Sequence, residues 1–306
     1  MKAIVTGGSG FIGSYITQEL VKQNIVTLVY DNLSTGNIEN LDSVSSQIQI
    51  IKGDVADLDK LRSAMEGVDY VFHLAAQTSI ADSLVNPFLT NQINNTGTLN
   101  VLWAASQAKV SRVIIASSCS VYGDIHQPPL QESYLPNTKS PYAASKLIAE
   151  ALAESFYHSY GLETVCLRYF NVYGLLQRSD SDYAAVIPRF LECYRQKTPP
   201  QIYGSGHQSR DFIHVSDVAR ANILAATVSS SVVNKHRVFN IGTGNKTNLL
   251  ELLNLISKQV NYYLEPVFLP SRQGEVSHSC ADISLAQEKL GFQPLISLEK
   301  GIKILL

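Results

Sequence analysis

Met1-Lys2-Ala3-Ile4-Val5-Thr6-Gly7-Gly8-Ser9-Gly10-Phe11-Ile12-Gly13-Ser14-Tyr15-Ile16-Thr17 opens the chain and decides its fold. Ala3-Ile4-Val5 is a short apolar run of the kind a buried strand needs. Glycines follow at Gly7, Gly10 and Gly13, and Phe11, Ile12, Ile16, Leu20 and Val21 recur at helical spacing. Strand, glycine turn and helix in that order make a dinucleotide cradle. Glycine permits the tight turn, lets backbone N–H groups approach a pyrophosphate, and allows the helix to sit close to the strand. The spacing here, G-x-x-G-x-x-G, is a variant of the commoner fingerprint. A second apolar strand, Val26-Thr27-Leu28-Val29-Tyr30, ends at Asp31, eighteen residues past Gly13. An acid at that place accepts hydrogen bonds from the adenine-ribose hydroxyls and disfavours a 2′-phosphate. Asn32-Leu33-Ser34 brings no arginine to pair with such a phosphate, so NAD is expected rather than NADP.

The pattern continues downstream. Ile48-Gln49-Ile50-Ile51-Lys52-Gly53-Asp54-Val55 reads as a third strand ending in an acid. Asp54 has two readings, a cap on a helix over 58–65 or a receiver of the adenine amino group. Val68-Asp69-Tyr70-Val71-Phe72-His73-Leu74-Ala75-Ala76 is a fourth strand whose small terminal residues let a cofactor lie flat across its end. Helical signal fills 91–108, and Arg112-Val113-Ile114-Ile115-Ala116-Ser117-Ser118 is a fifth strand. Strands alternating with helices at this period predict an α/β fold built on a doubly wound parallel (Rossmann) sheet, with ligands at the carboxyl ends of the strands.

Composition excludes several classes. The 306 residues are 45% hydrophobic, ample for a sizeable core, and a net charge of −2 with interspersed signs gives no footprint for nucleic acid. No segment approaches a membrane span. Cys119, Cys166, Cys193 and Cys280 lie far apart without metal-ligand spacing, so they read as buried small hydrophobes in a reducing compartment. No metal is expected, and the cytoplasm is the expected location.

The chemistry is expected where strand five ends. Ser117-Ser118-Cys119-Ser120-Val121-Tyr122-Gly123 puts several hydroxyls at the mouth of the crevice. Twenty-four residues after Ser118 comes Pro141-Tyr142-Ala143-Ala144-Ser145-Lys146, with Tyr142 and Lys146 at i and i+4 on a predicted helix and so on one face. A phenol titrates near pH 10 and is a poor base at neutrality. A nearby ammonium and the positive nicotinamide ring of oxidised cofactor favour the phenolate.

At this point the chain resembles the extended short-chain dehydrogenase/reductase superfamily, in its nucleotide-sugar epimerase/dehydratase branch, over essentially its whole length. The matching strings are Thr6-Gly7-Gly8-Ser9-Gly10-Phe11-Ile12-Gly13, Asp31-Asn32-Leu33-Ser34-Thr35-Gly36, His73-Leu74-Ala75-Ala76, Tyr142-Ala143-Ala144-Ser145-Lys146 and Arg168-Tyr169-Phe170-Asn171-Val172-Tyr173-Gly174. The resemblance implies Tyr142 as general acid/base, Lys146 as the residue that bonds the nicotinamide ribose and lowers the tyrosine pKa, and Ser118 as a hydrogen-bond partner of the sugar O4. It places Gly7, Gly10, Phe11, Ile12, Gly13, Asp31, Asn32, Asp54, Val55, Leu74, Ala75, Ala76, Asn94 and Phe170 with Tyr142 and Lys146 around the cofactor. It implies a Rossmann domain over 1–171, with returning segments near 212–243, and a smaller α/β substrate domain over 172–306, interleaved with it.

That second part is expected to hold a UDP-sugar. By resemblance Asn171 contacts the diphosphate, Val186 lies in a uracil-contacting segment, Tyr203 stacks on the base, Arg210 and Arg272 clamp the diphosphate, and Glu275 takes the uridine ribose hydroxyls. Ser279 falls where the family gates the hexose ring. A bulky aromatic there suits unacetylated sugars, and serine leaves room for an acetamido group. The expected activity is therefore C4 epimerisation of UDP-GlcNAc/UDP-GalNAc, with UDP-glucose/UDP-galactose as possible further substrates. Dehydratases and the related decarboxylase usually carry an acid just before Val-Tyr-Gly, whereas this chain has Cys119-Ser120. A nucleotide-sugar dehydratase or decarboxylase, or a UDP-uronate epimerase, is the alternative. A non-catalytic NAD-binding protein is disfavoured by intact Ser118, Tyr142 and Lys146. Helices over 91–108 and 142–160 resemble the pair that forms a dimer interface in this superfamily, so a homodimer is expected. Leu99, Leu102, Leu147, Ala151 and Phe156 serve either that interface or the core.

Overall fold

Ala3, Ile4 and Val5 are fully buried because the strand that carries them is covered on both faces. The computed structural model describes residues 1–177, 185–270 and 276–306. Strands β1 (Lys2–Thr6), β2 (Val26–Asp31), β3 (Ile48–Lys52), β4 (Tyr70–His73), β5 (Arg112–Ser118) and β6 (Glu163–Tyr169) join a seventh strand, Val238–Ile241, in one parallel sheet. The spatial order is β3-β2-β1-β4-β5-β6 followed by Val238–Ile241. Strand order reverses between β1 and β4, and that switch opens a crevice at the carboxyl ends. Thr6 lies opposite both Tyr30 and His73, and Ser118 opposite Tyr169, so the chemistry-bearing ends share one edge.

Helix α1 (Phe11–Lys22) and the Val215–Thr227 helix cover one face, where Ile16 and Leu20 pack with Val218 and Ala221. The helices Gly97–Gln107 and Pro141–Tyr160 cover the other, through Val101, Leu102, Ala149, Ala153 and Phe156. The larger of these, Ile16, Leu20, Val101, Leu102 and Phe156, contribute about 1.5–3 kcal/mol each by burial. Leu102 and Phe156 are thus core residues, whereas Leu99 and Ala151 stay exposed.

After β6 the chain leaves the sheet. Asn171–Tyr173 pairs in parallel with Phe212–His214, and the intervening segment builds a second core around Tyr173, Phe190, Ile202 and Leu252. The Leu249–Val260 helix starts in a capping box between Asn248 and Glu251, and Leu298–Leu305 closes this lobe. No helix among the described residues is long and apolar enough to cross a membrane.

Candidate active site

The glycine turn fits a dinucleotide by geometry. Gly7 has φ +69°, and a Cβ on it would lie 2.7 Å from the Ala75 nitrogen. A Cβ on Gly13 would lie 2.1 Å from the Gly7 carbonyl, so only glycine lets α1 start this close to β1. Gly10 precedes α1 without a side-chain cap, and no acid stands in the first turn. The N–H groups at that helix end are left for an anion. Several other helices are capped by side chains, Asp57, Ser140, Asn248 and Ser297 among them, although Val186–Gln196 and Ser284–Leu290 also start without one. The buried Ser9 Oγ has no partner in the protein, a further sign that the turn is shaped around something else.

Asp31 ends β2, buried, with its carboxylate accepting from Ser9 N at 2.9 Å and Leu33 N at 2.8 Å. These bonds aim the carboxylate and leave lone pairs for ribose hydroxyls. Asp54 does not cap the next helix; Asp57 does, accepting from Lys60 N at 3.1 Å. Asp54 instead accepts from Ala56 N at 2.9 Å and from Asn32 Nδ2 at 2.8 Å, which joins the loops after β2 and β3. The Val55 side chain fills the core against Gly97. Leu74, Ala75 and Ala76 follow β4 in irregular backbone, half-buried along the crevice.

Asn94 sits in a π-helical turn, Asn91–Thr96, that interrupts the expected helix. Its amide donates to Gln77 O at 3.0 Å and Ser145 Oγ at 2.8 Å, and accepts from Gln77 N at 2.8 Å. Ser145 Oγ donates onward to Tyr142 O at 2.7 Å. Asn94 therefore braces the loop after β4 against the helix that bears Tyr142.

That helix, Pro141–Tyr160, starts cleanly. Ser140 caps it by accepting from Ala143 N at 3.1 Å, and Pro141 occupies its first turn. Tyr142 is half-buried in the crevice, and its phenol is pushed up to about 12 by burial, opposed by a side-chain hydrogen bond with Ser118. Lys146 is 7% exposed and donates to Ala116 O at 2.9 Å; burial pulls it down to about 8. Its ammonium lies 5.8 Å from the Tyr142 ring centroid. Burial dominates both residues, and the positive nicotinamide of bound cofactor remains as the charge that can favour phenolate. His73, between Thr6 and Thr98, falls to about 3 through burial and the Lys146 charge, so it stays neutral beside that ammonium.

Ser118 ends β5, its Oγ accepting from Ser120 N at 3.2 Å. Cys119 is hydrogen-bonded to the Ser279 side chain, and burial pushes its thiol up to about 11. Ser279 is itself buried, its N–H donating to Ser209 O at 3.0 Å. Position 279 thus lies against the crevice beside Ser118, although 160 residues separate it from Cys119 in sequence.

Asn171, Val186, Tyr203 and Arg210 line one cleft of ≈ 240 Å³. Arg189 lines it too, its guanidinium 5.8 Å from the Tyr203 ring centroid, and no sequence pattern pointed to it. Arg210 donates to Ser209 O at 3.0 Å and to Ser277 O at 3.3 Å. A second cavity, ≈ 480 Å³, shares Arg189, Phe190 and Gln201 with this cleft; neither wall includes Ser118, Tyr142 or Lys146, and only the ≈ 240 Å³ cleft gathers the expected substrate contacts Asn171, Val186, Tyr203 and Arg210. Phe170 is buried, its ring centroid 6.5 Å from that of Tyr122. Arg272 and Glu275 lie outside the described residues.

Residues 3–242 match the sequence model of the NAD dependent epimerase/dehydratase family. The chain is 36% identical over 302 residues to a putative UDP-glucose 4-epimerase of Methanocaldococcus jannaschii, covering 98% of this chain and 95% of the relative. It is 32% identical to a UDP-glucuronate 4-epimerase of Thermodesulfobacterium geofontis, covering 98% and 93%. Its fold matches a UDP-N-acetylglucosamine 4-epimerase from Methanobrevibacter ruminantium, solved with UDP-N-acetylmuramic acid, at a TM-score of 0.94 and 39% identity, covering 99% and 96%.

Proposed function

The chain belongs to the NAD-dependent epimerase/dehydratase family, and from that premise we propose that it inverts C4 of a UDP-N-acetylhexosamine, interconverting UDP-GlcNAc and UDP-GalNAc. UDP-sugar 4-epimerases are isomerases, and the chain's relatives include several. The observation that carries the reading is the cluster at the end of β5. Ser118, Tyr142 and Lys146 meet there beside a thiol and a hydroxyl, Cys119 and Ser120, with no carboxylic acid next to Ser118 to remove a C5 proton.

NAD, when bound, supplies a hydride acceptor in its oxidised form and a hydride donor in its reduced form. Gly7, Gly13 and the uncapped start of α1 would hold its pyrophosphate, and Asp31 its adenine ribose. Tyr142 takes the proton from the sugar O4 as C4 is oxidised, and returns it after the ring has turned. Ser118 holds O4 through that exchange, and Lys146 keeps positive charge next to the phenolate. Asn171 and Arg210 keep the diphosphate in place while the 4-keto sugar swings about it. The C4 hydride would pass to bound NAD and back to the opposite face, so no external oxidant would be consumed.

Ser279 supports an acetylated substrate. A small hydroxyl bonded to Cys119 leaves space over the ring that an aromatic would fill. A second copy of the chain is proposed to pack on the exposed apolar edge of the Gly97–Gln107 and Pro141–Tyr160 helices, at Leu99 and Ile148, which are 43% and 42% exposed.

Tyr142→Phe tests the assignment. Turnover should fall by about 10²–10⁴-fold, with NAD and UDP affinities unchanged. A variant that turns over at the wild-type rate would remove Tyr142 from the acid/base role.

A further inference from the structure

We propose that Asp211 is the positioning residue that assembles Asn171, Arg210 and Ser279 into one substrate site. The inference rests on reading those three residues as UDP-sugar contacts. They come from segments far apart in the chain, and Asp211 links them: it bonds the Asn171 backbone, adjoins Arg210 in the chain, and holds Ala281, two residues past Ser279. Its side chain is fully buried between the strand Ser209–Arg210 and the strand Phe212–His214.

The carboxylate accepts four hydrogen bonds. Thr243 contributes its N–H at 2.8 Å and its Oγ1 at 2.6 Å, Gly244 its N–H at 3.0 Å, and Ala281 its N–H at 3.1 Å. A buried carboxylate without compensation is costly, and four donors are what make this one tenable. The Asp211 carbonyl accepts from Asn171 N at 2.9 Å, which fixes the residue expected at the diphosphate. Ala281 is two residues beyond Ser279, whose own N–H donates to Ser209 O at 3.0 Å. Arg210 immediately precedes Asp211, so its backbone is set by the same anchor. At Gly242 a Cβ would lie 2.7 Å from Asp211 Oδ2, so the 242–244 turn is drawn tightly around the carboxylate.

None of these partners belongs to the cofactor cradle. Gly7, Gly13, Asp31 and Asn94 make their bonds with other residues. A residue that only holds the fold would, on removal, weaken every ligand and lower stability together. A positioning residue for the substrate lobe moves UDP binding and KM while cofactor binding stays in place.

The experiment titrates UDP calorimetrically into NAD-loaded wild type, Asp211→Asn and Thr243→Val, and measures NAD affinity and Tm for each. The asparagine turns one acceptor into a donor facing Gly244 N or Ala281 N, and the valine removes a single donor with little change of shape. Asp211→Asn should weaken UDP by about tenfold or more, and Thr243→Val by about threefold, with NAD affinity within about twofold of wild type. KM for the UDP-sugar should rise with kcat largely kept. If Asp211→Asn does not fold, Thr243→Val decides by the same criteria. UDP affinity unchanged in the folded variants, or UDP and NAD affinities falling in parallel, would overturn the inference. Wild type that binds NAD but not UDP would instead overturn the substrate reading itself, and this inference with it.

Discussion

Lys146 is charged at neutral pH against the preference of its surroundings. Burial holds its folded pKa near 8, below the ordinary 10.5. Between those values Lys146 keeps its proton in the unfolded chain but not in the folded one, so its own contribution to stability rises as pH rises from about 8 to about 10.5, against the opposite contribution of buried thiols such as Cys119, whose pKa is raised. Lys146→Met should abolish that rise and make the protein ~2–3 kcal/mol more stable at pH 7, less whatever the orphaned Ala116 carbonyl costs, while turnover collapses. Urea unfolding at pH 7 and pH 10 reads this directly, and an unchanged pH slope would contradict it. Ser279→Tyr should suppress turnover of UDP-GlcNAc selectively while UDP-glucose turnover is kept; equal loss on both substrates would sink the gate. At this scale the sequence was legible where a spacing rule links residue to role. Asp31 stands a fixed distance past the glycines, and Tyr142 and Lys146 share a helix face. It was less legible where two candidates compete locally, as with Asp54 and Asp57 for one helix cap, or where the partner is remote, as with Arg189 and Tyr203. The raised pKa of Tyr142 was invisible because burial is not written in neighbouring residues.

The elements end where function begins. The third and fourth strands were expected to run through Val55 and Ala76, and the sheet stops at Lys52 and His73. The residues beyond leave the ladder because they turn toward the crevice, and an apolar run does not show where hydrogen-bond pairing ceases. The stretch over 91–108 read as one helix, yet Asn94 opens a π turn so that its side chain can brace Gln77 and Ser145. Helical periodicity also left Leu102 and Phe156 open to two assignments, which packing against the sheet resolves in favour of the core. Leu99 and Ile148 remain as the exposed apolar edge of the helix pair. A double variant, Leu99→Lys with Ile148→Lys, should sediment as a monomer where the wild type sediments as a dimer. A monomeric wild type would contradict the proposed pairing.

Across the whole molecule, the parallel sheet supplies a fixed floor and the second lobe supplies the walls. The chain crosses between them at Asn171–Tyr173, returns at Phe212–His214, and reaches the crevice again with Ser279. The doubly wound sheet could be read early because its strands and helices alternate at a regular period. The substrate lobe could not be built the same way: its strands are two or three residues long, and their pairing is fixed by long-range bonds such as those of Asp211. One measurement tests the central claim most directly, proton NMR of the purified protein with UDP-GlcNAc and with UDP-glucose, without added reductant. The account predicts that the C4 epimer forms, faster from UDP-GlcNAc, with no build-up of 4-keto sugar or NADH. A deoxy-keto sugar, a decarboxylated sugar or stoichiometric NADH as the product would contradict it, as would turnover confined to a UDP-uronate.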